Sequence, residues 1–162
     1  MKRILLFFCF FCIQFNFGQR AFVHSYYDNC SFFKELTQKE IENCVTIKKD
    51  SSSFNITFKL PLSKNLKEFA EIILTTYDIK FQKYGVGQDA DDWLEIGESS
   101  HTGSILVHFK TNCGEAETYS GVDSNGFIDL TENAQIDILS GFFRANVNGI
   151  IITGAFKNIK IN

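Results

Sequence analysis

Apolar and polar residues alternate at period two over much of this chain, and that alternation predicts strands. Val45 and Ile47 alternate with Thr46 and Lys48; after Asp50-Ser51-Ser52 the pattern resumes with Phe54, Ile56, Phe58 and Leu60. Two such runs across a polar turn predict a hairpin, and Pro61 ends its ladder because it has no amide proton to donate. From Ile79 onward, short runs rich in Ile, Val, Phe, Tyr and Trp occupy 79–84, 92–96, 104–110, 115–120, 126–130, 135–147 and 150–161. Gly, Asn, Asp and Ser separate them. Strands so evenly spaced predict an antiparallel meander closed into a sandwich or barrel.

Two segments break the strand pattern. Leu66, Phe69, Ala70, Ile73, Leu74 and Tyr77 fall at helical spacing and predict an amphipathic helix over 63–77, packed on the sheet. Ser63 or Asn65 would cap it, with Glu68 completing a box after Asn65. Residues 31–43 mix Phe33, Leu36 and Ile41 with charge, and Thr37-Gln38-Lys39-Glu40 has the spacing of a capping box, which predicts one or two helical turns. The fold class expected is therefore mainly β (a β-rich α+β domain), with one amphipathic helix packed on a sandwich or barrel.

The C-terminal hairpin can be set in register. Asn148-Gly149 lies between two long apolar runs, and this dipeptide favours a two-residue hairpin turn. Val147 then faces Ile150, Ala145 faces Ile152, Phe143 faces Gly154, Gly141 faces Phe156 and Asp137 faces Lys160. Each glycine is covered by a phenylalanine from the opposite strand, which shields a bare backbone. The apolar face is Phe143, Ala145, Val147, Ile150 and Ile152 near the turn. It is Ile136, Ile138, Ile159 and Ile161, of opposite parity, at the far end. A bend or bulge is expected between them, at Gly141 and Gly154.

Ser140-Gly141-Phe142-Phe143 and Thr153-Gly154-Ala155-Phe156 share the form [Ser/Thr]-Gly-x-Phe. Over about residues 118–162 the chain resembles uncharacterised secreted β-proteins common in Bacteroidetes, which close with this pattern. The resemblance implies a β-sandwich or calycin-like barrel at the cell envelope, and no activity.

The N-terminus adds a destination. Met1-Lys2-Arg3 precedes an uncharged run from Ile4 to Ile13 and a polar exit ending at Gly18, the layout of a secretion signal. Residues 1–18 are read as that signal and 19–162 as one β-rich domain, secreted or periplasmic. The apolar run is shorter than the ~20 residues a membrane span needs, so no transmembrane segment is expected after signal removal. Removing Lys2 and Arg3 from 16 basic residues leaves 14 against 19 acidic ones, a net charge of −5. A mildly acidic domain without a basic stripe has no electrostatic footprint for nucleic acid. Cys30, Cys44 and Cys113 remain, and in an oxidising compartment one bridge and one leftover thiol is the simplest outcome. Cys30 and Cys44 flank the helix-like segment and are the candidate disulfide.

Catalytic and cofactor chemistry finds little purchase. No Gly-x-Ser-x-Gly elbow occurs, and His24, His101 and His108 lack the pairwise spacing of metal ligands. His108 sits opposite the apolar face of Ile105, Val107 and Phe109, toward solvent. Asp89-Ala90-Asp91-Asp92 is the densest acidic patch, but a calcium loop started there would put Leu94 where glycine is needed. Asp123-Ser124-Asn125-Gly126 reads as a turn, and Cys113 as a hairpin thiol with no nearby base. No catalytic residue, metal site or cofactor is expected. The leading expectation is an exported non-catalytic envelope protein that binds or shields an envelope partner. The alternative is a calycin-like carrier of a small apolar ligand, which needs a cavity. A third reading, a hydrolase, would draw its carboxylates from Asp89, Asp91, Asp92 and Glu95.

Overall fold

The computed structural model describes residues 19–27, 30–64, 67–87, 102–121, 123–132 and 137–162. In chain order the elements are β1 (Arg20–Tyr27), β2 (Cys30–Leu36), α1 (Gln38–Cys44), β3 (Val45–Lys49), β4 (Phe54–Pro61) and β5 (Phe69–Thr76). They continue as β6 (Lys83–Gly87), β7 (Thr102–Thr111), β8 (Gly114–Tyr119), β9 (Ser124–Glu132), β10 (Ile138–Val147) and β11 (Ile150–Lys160). All eleven strands belong to one sheet, ordered β2-β1-β11-β10-β9-β6-β7-β5-β4-β3, with β8 on a free stretch of β7. Every pair is antiparallel except β6 with β7.

The sheet curls on itself. Ile161 bridges to Ile47, and the Asn162 amide donates to the Ile47 carbonyl at 2.8 Å, which brings the end of the chain back to β3. Phe58 of β4 meets the rings of Phe143 and Phe156 across the interior, at centroid distances of 5.6 and 5.9 Å. At the other end Phe109 of β7 receives Tyr27 and Phe32 edge-on, each at 6.1 Å. The result is β-rich, as the alternating pattern predicts, with α1 the single helix among the described residues.

The closing hairpin takes the expected register through Gly141 and Phe156. Asn148 and Gly149 adopt φ of 50° and 90°, the left-handed pair that a two-residue turn between twisted strands requires. A side-chain carbon built on Gly141 would lie 2.6 Å from the Phe156 ring, and one on Gly154 would overlap the Phe143 ring and meet the Phe22 carbonyl at 2.8 Å. Beyond Gly141 the register slips, so that Leu139 faces Ile159 and Ile138 faces Lys160. The bulge sits on β11 near Asn158, which is buried, has a φ of 58°, and donates its backbone amide to the Ser140 hydroxyl oxygen at 3.0 Å. Two expectations are corrected by it. Asp137 does not face Lys160, and its carbonyl instead accepts from the Ile161 amide at 2.8 Å. The face change is confined to β11, so Leu139 rather than Ile138 is fully buried opposite Ile159. Ile136 lies outside the described residues.

Asn148 also reaches past its own turn. Its side-chain amide donates to the Thr118 hydroxyl at 2.6 Å and the Tyr119 carbonyl at 3.1 Å, and its oxygen accepts from Ser124 at 3.1 Å. Asn148→Ala is expected to lower the unfolding free energy by about 1–2 kcal/mol, from the left-handed backbone and the lost bonds together. Asn148→Gly, which keeps the backbone freedom, isolates the second contribution in urea denaturation.

The helix predicted over 63–77 does not form. Phe69–Thr76 is β5, inserted between β4 and β7 and paired to both along its length. Ala70, Ile72, Leu74 and Thr76 point inward and are buried. A four-residue separation satisfies both a strand face and a helix face, so Ala70 and Leu74 fit either period. The β-branched pairs Ile72-Ile73 and Thr75-Thr76 favour the strand, and a helix here would orphan the facing edges of β4 and β7. Ser63 accepts from the Glu68 amide at 3.2 Å within the loop before β5, and Asn65 lies outside the described residues.

The helix among the described residues is α1, at the predicted capping box. The first half of the 31–43 segment is strand β2, and Thr37 caps only the second half. The Thr37 hydroxyl accepts the Glu40 amide, and the Glu40 carboxylate accepts the Thr37 amide at 2.9 Å. Ile41 and Cys44 are the buried positions of this helix. A hydrogen bond from Lys34 at 2.6 Å, then those from Thr37, hold the Glu40 carboxyl at about 2 against its usual 4.5. A carboxyl held below its unfolded value contributes stability that is fully present above about pH 4.5 and is lost as pH falls toward 2. Glu40→Gln is therefore expected to flatten the acid limb of the stability profile between those values, measured as thermal midpoint against pH.

Candidate functional site

The outward side of the half-sheet β2-β1-β11-β10-β9 follows from the pleat. Along β1 the inward residues are small (Ala21, Val23 and Ser25), and the large ones, Phe22, His24 and Tyr26, face out. The reason lies across the ladder. Val23 faces Gly154 and Ala21 faces Phe156, where the rings of Phe143 and Phe156 already fill the interior. Small side chains are all that fit beneath β1.

Registers place the outward residues in rows. One runs from Glu35 through Phe22, Ala155 and Phe142 to Asp129. The next runs from Phe33 through His24, Thr153 and Arg144 to Phe127. A third runs from Tyr26 through Ile151 to Asn146. Phe33 is 63% exposed, Tyr26 51% and Ile151 45%, and with Phe142 they make this face rich in exposed apolar side chains, crossed by the polar His24, Thr153 and Arg144; such surfaces mark interaction sites. The rings brace one another, Phe22 against Phe33 at 6.1 Å and Phe127 against Phe142 at 5.7 Å. Along β11 the shorter Thr153 and Ala155 form the floor of a shallow trough. Its walls are the β1 residues on one side and Phe142 and Arg144 on the other.

The charges on this face differ from those on the opposite one. There, on β4, β5, β7 and β8, Lys59 pairs with Glu71 at 3.2 Å and Lys110 with Glu115. Glu115 also lies 3.6 Å from His108, and its carboxyl is lowered first by the Lys110 hydrogen bond. On the aromatic face Arg20, Arg144 and Lys157 have no carboxylate within ion-pair distance among the described residues. Arg20 faces Lys157 across the ladder, so the trough ends on two adjacent cations.

The disulfide joins Cys30 to Cys113. The expected Cys30–Cys44 bridge is not formed, because α1 turns Cys44 into the core as a free buried thiol, whose ionisation burial pushes up. Cys30 instead starts β2 beside the β7–β8 turn, where Cys113 lies 5.9 Å away between Cα atoms. His108 is half-buried rather than fully solvent-facing, set edge-on against Phe69 at 4.9 Å. His24 packs edge-on against Phe33 at 6.2 Å on the aromatic face. His101, Asp89, Asp91, Asp92 and Glu95 lie outside the described residues. Among the described residues no group of three or more His, Cys, Asp or Glu could hold a metal, and no helix is long and apolar enough to cross a membrane.

The aromatic face was missed by pattern reading, since β1 has its large residues outside and its small ones inside. The signal available was Ala21-Phe22-Val23-His24-Ser25-Tyr26 itself, where every second residue is aromatic. No family model matches this chain, and no curated protein or solved structure matches it either.

Proposed function

We propose that this chain is an exported, non-catalytic envelope protein that binds its partner through the aromatic outer face of β2, β1, β11, β10 and β9. The observation that carries the reading is that face: Tyr26, Phe33, Phe142 and Ile151 stand exposed in adjoining rows beside Arg20, Arg144 and Lys157, which have no carboxylate within ion-pair distance among the described residues. The Met1–Gly18 pattern supports export, as does the Cys30–Cys113 bridge, which an oxidising compartment maintains. A carrier of a small apolar ligand would need an interior cavity of roughly 300–1,000 Å³. The interior contacts of Phe58 with Phe143 and Phe156 favour the surface reading over that one.

The test compares retention of the domain beginning at Gln19 on an envelope fraction of the producing cell. The triple variant Tyr26→Ser, Phe33→Ser, Ile151→Ser is expected to lose retention while its thermal midpoint moves little, because exposed substitutions cost about 0.5 kcal/mol or less each. Tyr77→Ser and Tyr119→Ser, on the opposite side, keep retention. Turnover in a broad hydrolase screen, or equal retention by the triple variant, contradicts the proposal.

A further inference from the structure

The trough along β11 carries information about its occupant. We infer that it binds an acidic polysaccharide, one chain lying along β11 with its sugar rings on the aromatic walls and its anionic groups on Arg144, Arg20 and Lys157. This rests on the reading of the aromatic face as the binding surface.

Three features of the geometry select this chemistry. The first is shape. The walls belong to the strands on either side of β11, so they stand about 10 Å apart, two strand spacings. Between Ile151 and Lys157, the exposed residues at its two ends, β11 runs for about 20 Å, with Thr153 and Ala155 lowest. That is the width of a single extended polymer and the length of several sugar rings. The second is ring presentation. Phe22 and Phe33 support each other at 6.1 Å with planes inclined at 36°, and Phe127 and Phe142 at 5.7 Å with planes inclined at 44°. Braced rings on a sheet offer a platform for stacking against the C–H face of a pyranose. They are poorly placed to act as wedges in a bilayer.

The third feature is charge complementarity. The chain carries a net charge of −3, yet the walls and the end of this trough hold three cations with no carboxylate partner among the described residues. Glu35 on β2 faces Phe22 and Asp129 on β9 faces Phe142, so an acid borders each wall on its outer side while the cations line the trough itself. A second copy docked by the same face would set these cations against one another, which an isologous interface disfavours. An anionic polymer meets them instead. Its rings stack and its carboxylates or sulfates accept from guanidinium and ammonium donors.

The experiment is affinity electrophoresis of the domain from Gln19 through gels containing polygalacturonate, alginate or chondroitin sulfate, with dextran and laminarin as neutral controls. At least one acidic polymer is expected to retard the protein and neither neutral one to do so. Tyr26→Ala and Arg144→Gln should each weaken that retardation about fivefold, about one ring-stacking or charged contact. Lys59→Gln on the opposite face should leave it unchanged. Absence of retardation in every acidic gel overturns the inference, as does retardation weakened equally by Lys59→Gln, or preferential binding to anionic vesicles. If envelope retention still depends on Tyr26, Phe33 and Ile151 while no acidic polymer binds, this inference fails and the proposed binding face stands.

Discussion

Reducing the Cys30–Cys113 bridge is expected to lower the unfolding free energy of the domain by about 4 kcal/mol, and Cys113→Ser by a similar amount. The bridge closes a sequence separation of 83 residues, and constraining so long a loop in the unfolded chain is worth about 4–5 kcal/mol in the chain-entropy account. The native side of the effect is local. The bridge fixes the start of β2 to the β7–β8 turn and so holds Tyr27 and Phe32 against Phe109. Because β2 ends the strand order and, among the described residues, pairs only with β1, it should be the first element to separate when the bridge opens. Urea denaturation with and without reductant gives the magnitude. Thiol titration of the denatured, oxidised domain from Gln19 should find one free thiol, and peptide mapping should place it at Cys44. A Cys30–Cys44 peptide would contradict the bridge, and Cys44→Ala should leave the bridge intact at a cost within about 2 kcal/mol.

The second large effect belongs to the glycine–phenylalanine exchange between β10 and β11. Phe143→Ala is expected to cost about 3–5 kcal/mol, the range for removing a fully buried ring. Phe143 is wholly buried, covers Gly154 and contacts Phe58. Gly154→Ala in the parent should also destabilise, by about 1–3 kcal/mol, since the new methyl group overlaps the Phe143 ring. Made together, the two changes should cost less than their sum, because the space vacated by the ring accepts the methyl group. The relief is incomplete, as the Phe22 carbonyl still lies 2.8 Å from the new carbon. Strict additivity in this cycle would show that the ring does not rest on the glycine.

That exchange was legible in the sequence because three local signals agree. Asn148-Gly149 sets the turn, the turn sets the register, and the register sets each glycine under a ring. The slip beyond Gly141 was legible only as a bend, because the residue that makes it, Asn158, is held by a tertiary bond to Ser140. At β5 the pattern itself was ambiguous. The residues shared by both periods, Ala70 and Leu74, could not decide between them, and the decision comes from β4 and β7 on either side. The disulfide was hidden for a similar reason. Nearness in sequence favours Cys30 with Cys44, whereas the curl of the sheet brings Cys113 to Cys30. The candidate site was the least legible part. Ala21, Val23 and Ser25 lie inside only because β10 and β11 have already filled the space beneath them, which no reading of β1 alone reveals.

Hydroxyl-radical footprinting of the domain on its envelope fraction tests the central claim most directly, since Phe and Tyr report their own exposure. Protection of Tyr26, Phe33 and Phe142, with Tyr77 and Tyr119 oxidised as in the free protein, is the predicted outcome. Protection confined to Tyr77 and Tyr119, or no change at any of the five, would contradict it.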